Sequence, residues 1–293
     1  MPMNTIKRIK AIYFSPCGHT ARLAQSLAQE LSKAMALPWE SMDFTRPIQR
    51  QGGPWALAAT DLVIFASPTY AGRLPNKALP WIQSLFQGQK TPTIALVTFG
   101  NRNFDSSLAE LVQELGLLGF HVLAGAALAS THVFAPETIG PGRPDVQDQK
   151  DLQAFGKKIA SLLVEAQDLS HLTDLPEVLI EAGSPVAPYY TPRKVDGTPA
   201  KFLNAKPVTD LSKCTQCGTC VEVCPMGSID PADVTSTPGT CIKCQACLRY
   251  CPTGAKTFTD PDFLSHVKML EENYTKRANP AFYVSRDGVF SAS

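Results

Sequence analysis

Long apolar runs are missing from this 293-residue chain. None approaches the ~20 residues that cross a bilayer, and the longest, near Val122 to Ala129, reads as a buried strand. No basic n-region followed by an apolar h-region opens the sequence, so the oxidising compartments that sustain disulfides are not expected. An excess of one charge is also missing. Lys and Arg total 27 and Asp and Glu 26, for a net charge of +1, and no basic run occurs. That excludes the electrostatic footprint of a nucleic-acid binder. No G-x-G-x-x-G fingerprint is present, which disfavours direct use of NAD(P)H. Histidine is scarce, at 5, and His121, His171 and His266 offer no constellation.

What is present is cysteine in a strict pattern. Cys214-x-x-Cys217-x-x-Cys220-x-x-x-Cys224-Pro225 recurs as Cys241-x-x-Cys244-x-x-Cys247-x-x-x-Cys251-Pro252, offset by 27 residues, with Gly227 and Gly254 at equivalent places beyond the prolines. Three thiolates two residues apart wrap one loop around a 4Fe–4S cluster and leave one iron unligated. The fourth cysteine, rigidified by its proline, turns away and reaches the other cluster. One cluster is therefore assigned to Cys214, Cys217, Cys220 and Cys251, the other to Cys241, Cys244, Cys247 and Cys224. Such a module folds around its metal. Zinc sites pair two-cysteine knuckles and have no use for a third cysteine two residues on. The ladders resemble the bacterial two-cluster ferredoxins, over residues 205 to 260.

The first half alternates strand-like and helix-like runs, the pattern of a parallel sheet with crossover helices. Strands are expected at 10–14, 39–44, 62–66, 93–99 and 121–128, with helices at 21–35, 76–86, 106–117 and 145–165. The loops after the first, third and fourth strands lie at carboxyl ends, where open α/β sheets bind ligands. These loops resemble those of the flavodoxin-like family, which implies a doubly wound five-stranded parallel sheet that binds FMN. The resemblance makes Ser15, Cys17, Gly18, His19 and Thr20 the phosphate loop, at a helix amino terminus. Cys17 stands where threonine is usual and His19 where asparagine is commoner, while Pro16 lacks an N–H. The resemblance places Ser67, Pro68, Thr69, Tyr70, Ala71 and Gly72, and then Phe99, Gly100, Asn101, Arg102, Asn103 and Phe104, around the flavin ring. Tyr70 and Phe104 are its candidate face-covering aromatics. Cys17 reads either as a redox thiol at a helix start or as a space-filling loop residue. His132 reads either as a proton donor near the flavin or as a structural loop histidine.

Between the halves, Pro176, Pro185, Pro188, Pro192, Pro199 and Pro207 mark an extended linker. The expected division is a flavodoxin-like module at 1–168, a linker at 169–204, a small α+β two-cluster module at 205–260, and a C-terminal helix and tail at 261–293. Together the parts resemble the flavodoxin–ferredoxin fusion proteins of anaerobes. That implies a cytoplasmic carrier exchanging low-potential electrons with a ferredoxin-like donor or an acceptor oxidoreductase, with a homodimer as one open arrangement. The alternative is an FMN-dependent reductase of a small molecule whose clusters refill the flavin, with Tyr70, Arg102 and His132 as proton donors or substrate anchors. A third reading keeps only a structural iron–sulfur module beside a flavodoxin-like domain that has lost its ligand.

Overall fold

The protein is described by a computed structural model that covers residues 6–165 and 186–285, and the backbone of 288–290. His171 and the first part of the proline-rich stretch, including Pro176 and Pro185, lie outside the described residues.

Strands β1 (Arg8–Tyr13), β2 (Trp39–Asp43), β4 (Asp61–Pro68), β6 (Thr91–Phe99) and β7 (Phe120–Ala129) form a parallel sheet in the order β2-β1-β4-β6-β7. This is the doubly wound order with the flavodoxin-like switch point beside the first strand. Side chains alternate between its faces, as strand geometry requires. Ile9, Ala11 and Tyr13 enter the core shared with α1 (His19–Met35) and α4 (Val146–Glu165); Ile12 and Phe14 enter the core shared with α2 (Leu79–Leu85) and α3 (Ser107–Leu117). Leu23, Leu27 and Leu31, one helical turn apart, form the buried stripe of α1. The second crossover helix starts later than the expected 76. Pro80 sits in its first turn, where a missing N–H costs nothing. Its end runs directly into β5 (Phe86–Gly88), which pairs with β3 (Trp55–Leu57) as a small separate sheet that the periodicity does not announce.

The expected five parallel strands do not complete the sheet. The C-terminal segment returns to it: β10 (Ala281–Val284) pairs antiparallel with β7 in the register Ala281↔Ala127 to Val284↔Ala124, and β11 (Gly288–Phe290) pairs with β10. The tail therefore covers an otherwise open β7 edge. Phe282 seats its ring 4.9 Å from Phe155 of α4.

The ladder region holds a two-residue pairing of β8 (Val208–Thr209) with β9 (Lys256–Thr257), and two single-turn helices, α5 (Thr219–Glu222) and α6 (Ala246–Arg249). The 27-residue repeat extends to the backbone. Gln216 and Lys243, Gly218 and Gln245, and Gly227 and Gly254 are pairs with positive φ. At Gly227 and Gly254 that conformation, 59° and 63°, folds the chain back after each Cys-Pro, at a position where other residues are strained. Helix α7 (Pro261–Asn273) follows, with the Asp260 side chain accepting the Phe263 N–H at 2.8 Å and Pro261 in the first turn. Leu270 packs with Ala135 and Ile139 of the long loop after β7. No helix among the described residues is long and apolar enough to cross a membrane.

Candidate functional site

Three cavities hold the residues that the sequence singles out. Cys214, Cys217, Cys220 and Cys251 line one small cavity, with Pro252 at its wall. Cys241, Cys244, Cys247 and Cys224 line another, with Pro225, Ile229 and Phe258. Each cavity thus collects three sulfurs of one ladder and the last sulfur of the other. Among the described residues, no group of three or more His, Cys, Asp and Glu side chains could hold a single metal ion. In each cavity the four thiols line one common space. Backbone N–H groups already point at the sulfurs: Ser228 N–H donates to Cys224 Sγ at 3.3 Å and Ala255 N–H to Cys251 Sγ at 3.2 Å, equivalent bonds one repeat apart. Such donors stabilise thiolates and tune cluster potential.

The third and largest cavity, about 240 Å³, lies at the carboxyl ends of β1, β4, β6 and β7. Of the sequence candidates, Ser15, Cys17, His19 and Thr20 line its first end, Pro68, Thr69, Tyr70 and Ala71 its middle, and Gly100, Arg102 and His132 its far part. The first end is preorganised. The Ser15 hydroxyl accepts the Ala21 N–H at 3.0 Å, and Thr20 shares a 2.7 Å hydroxyl bond with Thr98. The first amides of a helix have no intrahelical acceptor, and Ser15, His19 and Thr20 at the start of α1 all line the cavity.

The other candidates lie outside the lining. Gly18 turns toward Tyr250, Ser67 is buried with its hydroxyl on the Pro68 carbonyl, and Gly72 is packed against Asp105. Phe99 and Phe104 pack on each other, 5.6 Å apart, beside the sheet core. The Asn103 side chain accepts the Asp105 N–H. Asn101 is buried and fully engaged: its Nδ2 donates to the Tyr274 and Lys276 carbonyls, and its Oδ1 accepts from Arg143 Nη1 and the Ala278 N–H. Arg143 in turn makes a paired contact with the buried Asp148 at 2.5 and 3.0 Å. This hub anchors the C-terminal segment to the loops after β6 and β7.

The remaining walls come from distant sequence, which is why periodicity misses them. Residues 187–193 strap across the loop after β4. Tyr190 N–H donates to the Ala71 carbonyl at 2.8 Å, Tyr189 Oη to the Leu74 carbonyl at 2.9 Å, and Arg73 to the Ala187 carbonyl at 2.8 Å. The guanidinium of Arg102 lies 4.2 Å from the Tyr190 ring centroid, a cation–π pair. Phe202, Ile242, Lys243, Cys244 and His266 complete the enclosure.

The two modules meet at this cavity. Cys17 Sγ–H donates to the Cys244 carbonyl at 2.9 Å, and Arg50, stacked 3.6 Å over Trp81, donates to the Pro225 carbonyl at 2.8 Å. Cys244 lines both this cavity and the one shared by the second ladder. Burial pushes the Cys17 thiol up to about 12 despite the opposing field of Arg249, so it is a neutral donor and not an activated thiol. Burial, with Arg249 and Arg22 adding positive field, lowers His19 to about 4, so its ring brings no charge at neutral pH. The positive field here comes from the arginines. Tyr70 is raised well above its ordinary value, first by burial and then by the Cys244 sulfur, so it stays a phenol.

The chain matches two family models, each of a 4Fe-4S binding domain, at residues 207–230 and 238–254. No curated protein matches it. Among solved structures, it is similar to a flavodoxin from the domain Archaea, at 14% identity over 54% of this chain and 99% of that one, TM-score 0.36. It is also similar to a flavodoxin of Streptococcus pneumoniae, at 16% identity, 53% and 99% coverage and TM-score 0.37. A third is the rubredoxin oxygen:oxidoreductase of Desulfovibrio gigas, at 20% identity, 56% and 38% coverage and TM-score 0.38. The residues present fit two 4Fe–4S clusters in the cysteine cavities and FMN along the sheet edge. Two matched 4Fe-4S binding domains thus follow, in one chain, a doubly wound parallel sheet of flavodoxin-like strand order.

Proposed function

We propose that this protein relays low-potential electrons between a redox partner protein and FMN by way of two clusters. Cys214, Cys217, Cys220 and Cys251 hold the first cluster; Cys241, Cys244, Cys247 and Cys224 hold the second. When bound, the clusters exchange single electrons and FMN takes one or two, which makes the chain a converter between the two kinds of partner. The observation that carries this reading is Cys244, whose residue belongs to the wall of both the second-ladder cavity and the sheet-edge cavity. Cys244 would hold the second cluster while its carbonyl, accepting from Cys17 Sγ–H, belongs to the wall of the cavity that would hold FMN.

The protein's own groups divide the work. The α1 amino terminus with Ser15 and Thr20 takes the FMN phosphate. Tyr70 covers the ring beside the second cluster, while the 187–193 strap and Phe202 exclude water. Cys217 is exposed, whereas Cys244 is buried, so a ferredoxin-like donor or an acceptor oxidoreductase docks on the first-ladder side. A second reading, reduction of a small molecule at the flavin, is favoured by one observation: Tyr70, Arg102 and His132 all line the cavity.

Anaerobic iron, sulfide and flavin analysis of the purified chain is expected to give about eight irons and one FMN. Fewer irons, or no flavin, would sink the converter. Stopped-flow reduction by a ferredoxin then separates the two readings. Full flavin reduction without added substrate supports the relay, and substrate-dependent reoxidation lost in Arg102→Ala supports the reductase.

A further inference from the structure

Two histidines at the far end of the sheet-edge cavity have a chemistry that the relay leaves unused. The cavity spans the ends of four adjacent strands, β1, β4, β6 and β7; at about 4.8 Å per neighbour it extends roughly 14 Å from the first loop. His132 lies just after β7, and His266, on α7, faces the same space.

Backbone groups set the two rings in opposite tautomers. The Phe134 N–H donates to His132 Nδ1 at 3.1 Å, so the proton of the neutral ring is on Nε2. His266 Nδ1 stands 2.8 Å from the Arg193 carbonyl oxygen. A carbonyl only accepts, so this nitrogen carries the proton and Nε2 keeps its lone pair. Burial holds both rings neutral: His132 is lowered to about 4, with His266 near enough to add to the effect, and His266 is lowered as well. Their orientations are locked. Phe134 meets His132 edge-on at 5.1 Å, and Phe202 stacks on His266 at 5.4 Å. Gly100 is required beside them, because a Cβ there would come within 2.4 Å of His132 Cδ2. His266 is only 4% exposed, and its Nε2 has no protein partner among the described residues. An N–H donor and a nitrogen acceptor therefore face one cavity, unmatched.

We propose that His132 and His266 are a donor–acceptor pair that holds the imide edge of the flavin's pyrimidine ring. His132 Nε2–H donates to a ring carbonyl, and His266 Nε2 accepts from the adjacent ring N–H. An imide is the group that offers an acceptor beside a donor, so both bonds form without moving a proton. The asparagines nearest this end are already engaged: Asn101 holds the C-terminal segment and Asn103 holds Asp105. This inference rests on FMN occupying the cavity, with its phosphate at Ser15–Thr20.

The test uses the full chain with its clusters in place, stripped of flavin and titrated anaerobically with FMN and with N3-methyl-FMN, which lacks the imide N–H. Wild-type protein is expected to bind the methylated flavin about tenfold or more weakly, the worth of one buried hydrogen bond. His266→Phe should weaken FMN binding by a similar factor and erase the discrimination. His132→Phe should weaken both ligands while preserving it, and His132→Gln, which keeps a donor, should recover part of the loss. Equal affinity of the wild type for the two flavins overturns the proposal and needs no variant. Failure of the wild type to bind FMN at all overturns the underlying reading instead, so the two failures are distinct.

Discussion

Cys17 illustrates how far a residue's role depends on its surroundings. A thiol at a helix amino terminus is the usual setting of a reactive cysteine. Here burial outweighs the helix and Arg249, and the thiol spends its proton on the Cys244 carbonyl. Asn101 shows the reverse case, a loop side chain beside the cavity that is purely structural. Asn101→Ala leaves the Arg143 guanidinium and three backbone groups short of partners, and is expected to cost about 1–3 kcal/mol in chemical unfolding. FMN affinity at temperatures where the variant is folded should change little; a large loss there would make Asn101 a ligand after all.

His19 and His132 carry a pH prediction. Burial lowers both to about 4, below the ordinary value near 6.5. The unfolded chain therefore takes up protons that the native rings refuse. Their contribution to stability is full above about pH 6.5 and is lost as pH falls toward about 4. The urea midpoint should drop between about pH 7 and about pH 5, and His132→Gln should shrink that drop. An unchanged drop in the variant counts against a neutral buried ring.

At the level of elements, the C-terminal strands are the main departure from expectation. Four residues, Ala281–Val284, are too few for a periodicity argument, and nothing local says that they return to a sheet begun at residue 8. Once there, they pair with β7 and bury Phe282 against Phe155. Phe282→Ala is expected to destabilise the sheet module by about 3–5 kcal/mol, measured by denaturant unfolding followed at a tryptophan. A cost below about 1 kcal/mol would mean that the tail is dispensable to the sheet. The strap at 187–193 is a second case. Proline content reads as a spacer, yet its backbone and tyrosines clamp the loop after β4 through three hydrogen bonds, and Tyr190 holds Arg102 of the loop after β6 in a cation–π pair.

For the whole molecule, the joint between the modules decides which cavities share a wall. Cys224→Ser removes a sulfur from the cavity that adjoins the sheet-edge cavity, not from the other one. Iron content should fall toward about four per chain, and electrons delivered at the first ladder should reach the flavin at least tenfold more slowly. Loss of the other cluster alone, seen by paramagnetic resonance, would reverse the ligand sets.

Much of this was legible in residue order because it is local. Ladder spacing, the proline after each fourth cysteine, the strand–loop–helix alternation and a helix start at the first loop each depend on a few neighbouring residues, and the fold class and the two 4Fe-4S domains follow from them. Tertiary structure alone decided how those pieces share space. Ile242, Cys244 and Tyr190 reach the sheet-edge cavity from remote segments, Asn101 is drawn away by a tail more than 170 residues later, and His266, on α7, lines the same cavity as His132. Spacing along a chain encodes what one turn or one strand can reach; which distant surfaces bury each other is a property of the packed whole.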